Sequence, residues 1–300
     1  MTTPRIIFVP GMKPKPPAEI HRSQLWRCLL AGVKRADPEV AKMLSEQPEV
    51  MERANWTWAF YGTYRDIATD LPGIDALMEQ DAPSAEDLKA ARSWRNRLMR
   101  GLYLVGDAVP FVVDSLANED LRVTLKDVAR YVTNRDGIGD QVRADLLDRL
   151  RLCSDRPVML VGHSLGSVIA WDTLWTLTHE LQDDSVMIDR FVTLGSPLGN
   201  RVIQKGLKGR KSTGPDAYPH NIRRWTNIVA VGELTALDRH MANDYGAMRN
   251  LKLVEQIDDI DVYNHYRENG RLHVHSEYGY LANVTTGRLI ADWWRSHATR

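Results

Sequence analysis

Residues 157–171 read Pro-Val-Met-Leu-Val-Gly-His-Ser-Leu-Gly-Ser-Val-Ile-Ala-Trp: an apolar run, a pentapeptide bounded by glycines, then a second apolar run. No other stretch constrains the chain as strongly. The first run, Val158 to Val161, has the length and composition of a strand buried on both faces, and the second, from Leu165, continues with helical character. Between them, Gly162-His163-Ser164-Leu165-Gly166 must turn the chain sharply, and glycines without a Cβ let backbone approach backbone there. A serine on such a turn is pushed into the open above the helix N-terminus, the Gly-x-Ser-x-Gly setting of a nucleophile. A chance Gly/Ser turn accounts for the pentapeptide but not for the strand before it or the helix after it.

Further short apolar runs bounded by turn residues occur at Ile6 to Val9, Trp56 to Tyr61, Phe191 to Leu194 and Ile228 to Val231. These predict buried parallel strands. Helical periodicity lies between and after them, at Gln24 to Lys34, Val142 to Leu152, Leu165 to Leu181 and Leu289 to Trp294. Strands alternating with helices predict an α/β chain with a doubly wound, mostly parallel sheet. Ligands of such sheets bind beyond the carboxyl ends of the strands, where Ser164, Gly195 and Glu233 each follow a strand.

At 300 residues and 43% hydrophobic content, the chain can bury one large core, and a single domain spanning 1–300 is expected. The 39 basic and 39 acidic residues balance, so no global field draws the chain to nucleic acid or to an anionic membrane. Two cysteines, Cys28 and Cys153, are too few for a disulfide framework. With strand Arg5-Ile6-Ile7-Phe8-Val9 so near the N-terminus and no small-residue cleavage site, a secretion signal is not predicted and the expected location is cytoplasmic.

Residues 66–125 interrupt the alternation, being too long for a simple connection and too apolar for a disordered loop. Ser84-x-x-Asp87 resembles a capping box, and Leu88, Ala91, Leu98, Met99 and Leu102 follow at helical spacing. The apolar stretch Leu102 to Leu116 is broken by Asp107, Pro110 and Asp114 and falls short of the roughly 20 residues of a membrane span. The expectation is a helical, lid-like insertion lending apolar walls to an acyl pocket, the alternative being an insertion that only packs on the core.

A serine hydroxyl needs a histidine to take its proton and an acid to orient that histidine. In elbow enzymes the chain order is serine, acid, histidine. The base therefore lies late in the chain, and His275, in the loop leading to the last helix, is chosen over His273 and His265. His273-x-His275 has a second reading, two imidazoles on one strand face as metal ligands, but the elbow already calls for a histidine here and no metal or cofactor is expected. For the acid, the run Arg224 to Val231 reads as a strand ending in a turn from which Glu233 emerges; Asp238 is the competitor, with Asp244 and Asp258 remoter. Two backbone donors must hold an oxyanion: the N–H after the nucleophile, Leu165, and one from Pro10-Gly11-Met12-Lys13-Pro14-Lys15-Pro16-Pro17, whose prolines cannot donate, so that Met12 is chosen. Gly195-Ser196-Pro197 lacks a strand-to-helix elbow and reads as a turn under the pocket, and the basic run Lys205, Lys208, Arg210, Lys211 as a solvated loop.

Four stretches carry a family resemblance: Phe8-Val9-Pro10-Gly11, Gly162 to Ser167, Thr193-Leu194-Gly195-Ser196-Pro197-Leu198, and Trp225-x-Asn227 through Gly232-Glu233; His275-x-x-Tyr278 is a weaker fifth. Together they resemble the α/β-hydrolase superfamily, in particular the lipase/esterase branch of serine hydrolases related to GPI inositol deacylases. The acid loop of that branch resembles Trp-x-Asn followed by Gly-Asp-Pro-Val; here Glu233 stands at the Asp position and Leu234-Thr235 replace Pro-Val. Its common His-Gly before the oxyanion loop is Pro10-Gly11 in this chain. The expected function is hydrolysis of a small-molecule or lipid-like carboxylic ester through Ser164, His275 and Glu233, with thioesterase or acyltransferase chemistry on the same triad, or a non-catalytic hydrolase-fold binding protein, as alternatives.

Overall fold

The computed structural model describes residues 2–92, 119–233 and 240–298. Six strands form one all-parallel sheet: β1 (Arg5–Val9), β2 (Met51–Arg53), β3 (Val158–His163), β4 (Ile188–Leu194), β5 (Ile222–Ala230) and β6 (Gln256–Val262), in the order β2-β1-β3-β4-β5-β6. Alternate residues of each strand feed two apolar layers. Ile7, Val9, Leu160, Phe191 and Trp225 face one, and Ile6, Phe8, Met159, Val161, Val192 and Ile228 face the other. A parallel sheet covered on both faces needs apolar side chains in both directions, which is why these strands read as unbroken hydrophobic runs. Helices Ile138–Leu152 and Leu165–Trp175 cover the first face, and Ala18–Ala36 with Val284–Ala298 the second. This is the doubly wound α/β class expected. Cys28 and Cys153 are buried free thiols in opposite layers, so the sheet keeps them apart.

Two elements differ from the sequence reading. Trp56–Tyr61 is a helix, not a strand. Trp56, Thr57 and Phe60 are buried while Trp58 is exposed, a one-turn spacing, and Gly62 ends the helix in the left-handed region with its N–H on the Trp58 carbonyl. The high β-propensity of aromatic residues conceals this in a six-residue run. The strand beside β1 is instead Met51–Arg53, too short and too polar to stand out. The other difference is β6, an additional edge strand whose sequence Gln-Ile-Asp-Asp-Ile-Asp-Val is charged because only part of it is covered.

Register aligns the strand ends where a site is to be built. Val9, Gly162, Thr193, Asn227 and Asp259 form one row across β1, β3, β4, β5 and β6. Thr193 donates to Asn227 (2.9 Å), and Asn227 to Asp259 (3.0 Å), whose carboxylate also accepts the N–H groups of Met241 and Ala242. The chain just beyond this polar row therefore has fixed starting points. Between β1 and β3 the strand order reverses, which opens a crevice at their carboxyl ends.

Of the insertion, helix Leu71–Glu79 is packed into the second layer through Ile74 and Leu77. The capping box forms as read: Ser84 N–H meets Asp87 Oδ2 at 2.9 Å and Asp87 N–H meets Ser84 Oγ at 3.1 Å. The helix it opens, 85–92, brings the Ala91 carbonyl against Gly232. Leu98, Met99 and the run Leu102 to Leu116 lie outside the described residues. Among the described residues, no helix is long and apolar enough to cross a membrane.

Candidate active site

Ser164 follows β3 with φ 51° and ψ −128°, a conformation that L-residues adopt only when the surroundings enforce it. The enforcement is visible. Its N–H donates to the Leu194 carbonyl (3.0 Å), helix Leu165–Trp175 begins at the next residue, and Gly166 lies so close to β1 that a Cβ there would stand 2.2 Å from the Val9 carbonyl oxygen. The turn thus wedges the serine between the ends of β1 and β4.

The His275 Nε2 lies 2.9 Å from the Ser164 hydroxyl, and its Nδ1 lies 2.8 Å from Glu233 Oε2. Since a carboxylate only accepts, Nδ1 carries the proton and Nε2 presents its lone pair to the serine. The Glu233 side chain is 1% exposed, so its charge acts on His275 with little competition from water. Glu233 reaches this place through a turn after β5 in which its N–H returns to the Ala230 carbonyl (3.0 Å) and Gly232 adopts φ 91°. His273 and His265 do not join the cluster: His273 Nδ1 is 3.8 Å from Glu268, and His265 Nε2 is 3.1 Å from the Gln80 carbonyl. No group of three side chains suited to a metal is found among the described residues. Asp238 lies outside the described residues.

Three residues that the sequence reading passed over hold the cluster in shape. Tyr280 takes the Ala230 N–H on its phenolic oxygen (2.8 Å) and donates to Glu233 Oε2 (3.1 Å), which ties the acid to the end of β5. The family resemblance drew attention to Tyr278 instead, whose hydroxyl serves Asp70. His163, the variable position of the pentapeptide, donates from Nε2 to the His275 carbonyl (2.8 Å), and burial pulls its pKa down, favouring the neutral ring. Glu277 is buried beneath the loop after β1, where Lys15 Nζ (2.7 Å) and His21 Nε2 (2.9 Å) meet its Oε1. Burial opposes the charged form of Glu277, yet Lys15 and His21 hold its carboxyl well below the usual range. A glutamate in a polar-looking loop gives no sequence sign of such burial.

That loop crosses directly over the serine: a Cβ on Gly11 would come within 3.0 Å of the Ser164 Cβ. Gly11 N–H points to Glu277 Oε2 (3.4 Å) and Lys13 N–H to the Tyr61 hydroxyl (3.0 Å), and no hydrogen bond to the Met12 N–H between them is found among the described residues. Leu165 opens its helix, so its N–H has no partner within the helix. Ser196 is fully buried, its hydroxyl engaged with Ser167 Oγ (2.7 Å) and the Leu198 N–H (3.2 Å), as suits a turn under the site.

Compared with protein-family models, curated proteins and solved structures, the chain gave no match.

Proposed function

We propose that the protein is a serine hydrolase of carboxylic esters with an α/β-hydrolase fold, related to the lipase/esterase branch. The observation that carries this reading is the continuous relay from Ser164 Oγ through His275 to Glu233, at 2.9 and 2.8 Å, on a strained strand-to-helix turn. A buried carboxylate behind one imidazole nitrogen and a hydroxyl before the other is the arrangement that lets a serine lose its proton as it attacks.

In this mechanism Ser164 Oγ attacks the ester carbonyl carbon while its proton passes to His275 Nε2. Glu233 stabilises the imidazolium that forms. The N–H groups of Met12 and Leu165 receive the oxyanion of the tetrahedral intermediate, a task for which backbone donors need no reorganisation. His275 then protonates the departing alcohol, leaving Ser164 acylated. A water molecule, deprotonated by His275, attacks the acyl carbon, and the acid leaves as the proton returns to Ser164. Every proton is accounted for by these side chains and water. A small-molecule or lipid-like ester fits this chemistry, and residues 66–125 are the part of the chain proposed to wall the acyl pocket as a lid.

A fluorophosphonate probe tests the reading. Labelling of the wild type and none of folded Ser164→Ala is expected, together with turnover of p-nitrophenyl esters lost in the same variant. Folded wild type that neither labels nor turns over such esters would make the chain a non-catalytic binding protein of this fold.

A further inference from the structure

We propose, resting on the hydrolase reading, that Glu277 is a positioning residue that fixes the oxyanion loop over Ser164. Both of its oxygens meet the loop after β1. Oε1 takes the Lys15 ammonium and the His21 imidazole, and Oε2 faces the Gly11 N–H and His163 Nδ1, each at 3.4 Å. His163 in turn holds the carbonyl of His275. One buried carboxylate therefore holds the loop that carries Met12 at two places, through Lys15 and Gly11, and lies against His163, whose neutral ring turns its Nδ1 lone pair toward it and makes no hydrogen bond to it.

The loop needs such an anchor. Pro10, Pro14, Pro16 and Pro17 give it no donors at four positions, so it cannot be held by a ladder of its own. Its ties to the body include the Gly11 and Lys15 contacts with Glu277, the Lys13 bond to Tyr61, the Trp56 indole N–H on the Pro10 carbonyl (2.9 Å) and the Arg65 N–H on the Lys15 carbonyl (3.1 Å). Gly11 is the residue immediately before the proposed oxyanion donor. A displacement of about 1 Å in a positioned catalytic group can cost on the order of a hundredfold in rate. The network behind Glu277 is also closed: Arg53 Nε donates to His21 Nδ1 (2.8 Å), which leaves His21 Nε2–H to donate to the carboxylate. Each side chain's orientation is fixed by the next.

Glu277→Gln keeps the shape but turns an amide NH2 toward either the Lys15 or the Gly11 donor. The experiment measures kcat, KM, inhibition by an alkyl boronate and deuterium exchange of the peptide containing Gly11, in wild type, Glu277→Gln and the charge-neutral pair Lys15→Met/Glu277→Gln. The pair guards against misfolding from an uncompensated buried ammonium. We expect both folded variants to lose protection at Gly11 and to fall about 30- to 100-fold in kcat with KM within about twofold, boronate affinity falling in parallel, as for a displaced oxyanion donor. Unchanged exchange at Gly11 with kcat within about threefold of wild type, or activity restored in the pair along with its stability, overturns the proposal. Loss of Gly11 protection in an enzyme whose wild type shows no ester turnover overturns the catalytic role together with the hydrolase reading; in the preceding outcomes that reading survives.

Discussion

The imidazole of His163 donates a 2.8 Å hydrogen bond to the carbonyl of His275, so the residue just before the serine holds the backbone of the residue that faces the serine's hydroxyl. The two rings lie 4.7 Å apart. The loop carrying His275 has no strand of the main sheet to fix it, since β6 ends at Val262 and only the small hairpin of 267–272 intervenes. A contact from the rigid turn after β3 supplies that support. The relative placement of Ser164 and His275 is thus built into the turn itself.

Replacing Glu233 by Gln presents an amide to His275 Nδ1 and favours the wrong tautomer. We expect kcat to fall by about 10⁴-fold with the protein folded, as for loss of the acid in a serine triad. Asp238→Asn is expected to change kcat by less than about threefold, since Glu233 already stands behind His275. Steady-state kinetics on a short-chain ester compare the two, and a larger loss at Asp238 reverses the assignment.

Tyr280→Phe removes one donor from Glu233 and the phenolic oxygen that accepts from the buried Ala230 N–H. The expected outcome is a kcat reduced about tenfold and a stability loss of about 1–3 kcal/mol. Denaturant unfolding beside kinetics checks both, and an unchanged kcat would mean that Glu233 is held well enough by its turn.

Gly166→Ala places a methyl group 2.2 Å from the Val9 carbonyl oxygen, which belongs to a central strand and cannot move alone. Either β1 or the helix must shift. We expect a destabilisation of about 3 kcal/mol or more, together with loss of probe labelling at Ser164, because the same shift displaces the oxyanion loop. A stable, fully labelled variant would contradict the packing at the turn.

Trp56 and Trp58 distinguish helix from strand at 56–61. In a strand both would share one face; on a helix they point apart, and Trp56 is 1% exposed while Trp58 is 43% exposed. Trp56→Ala should cost about 3–5 kcal/mol and Trp58→Ala about 1 kcal/mol or less. Equal costs in thermal or denaturant unfolding would favour the strand.

His21 should make stability fall on mild acidification. Burial pulls the His21 imidazole from 6.5 down to about 4, so between these values the unfolded chain binds the proton and the folded chain does not. The contribution is complete above pH 6.5 and lost as pH falls toward 4, on the order of 3 kcal/mol. Glu277 adds its loss only below its ordinary 4.5. A denaturation series from pH 7.5 to about 4, in wild type and His21→Gln, should show a flatter profile in the variant. Parallel profiles would assign the acid sensitivity elsewhere.

The elements legible in the chain were those whose signal is local. Ile6 to Val9, Val158 to Val161, Phe191 to Leu194 and the helix from Leu165 are continuous apolar runs because both faces of the sheet are covered, and they lie where expected. Trp56 to Tyr61 misled because a six-residue aromatic run satisfies either period, and β6 escaped because an edge strand does not need apolar residues throughout. The sequence alone determined the strained turn at Ser164, since strand, glycines and helix act within a few residues of one another. It also determined the doubly wound sheet, through the alternation of buried strands and helices. Only the tertiary structure decided which of three late histidines meets Ser164, that Glu233 stands behind it, and that His163, Tyr280 and Glu277 hold the arrangement. Those partners are separated by 42 to 262 residues along the chain. Their meeting depends on strand order and register, which bring distant loops to one end of the sheet, and no local pattern of residues encodes that distance.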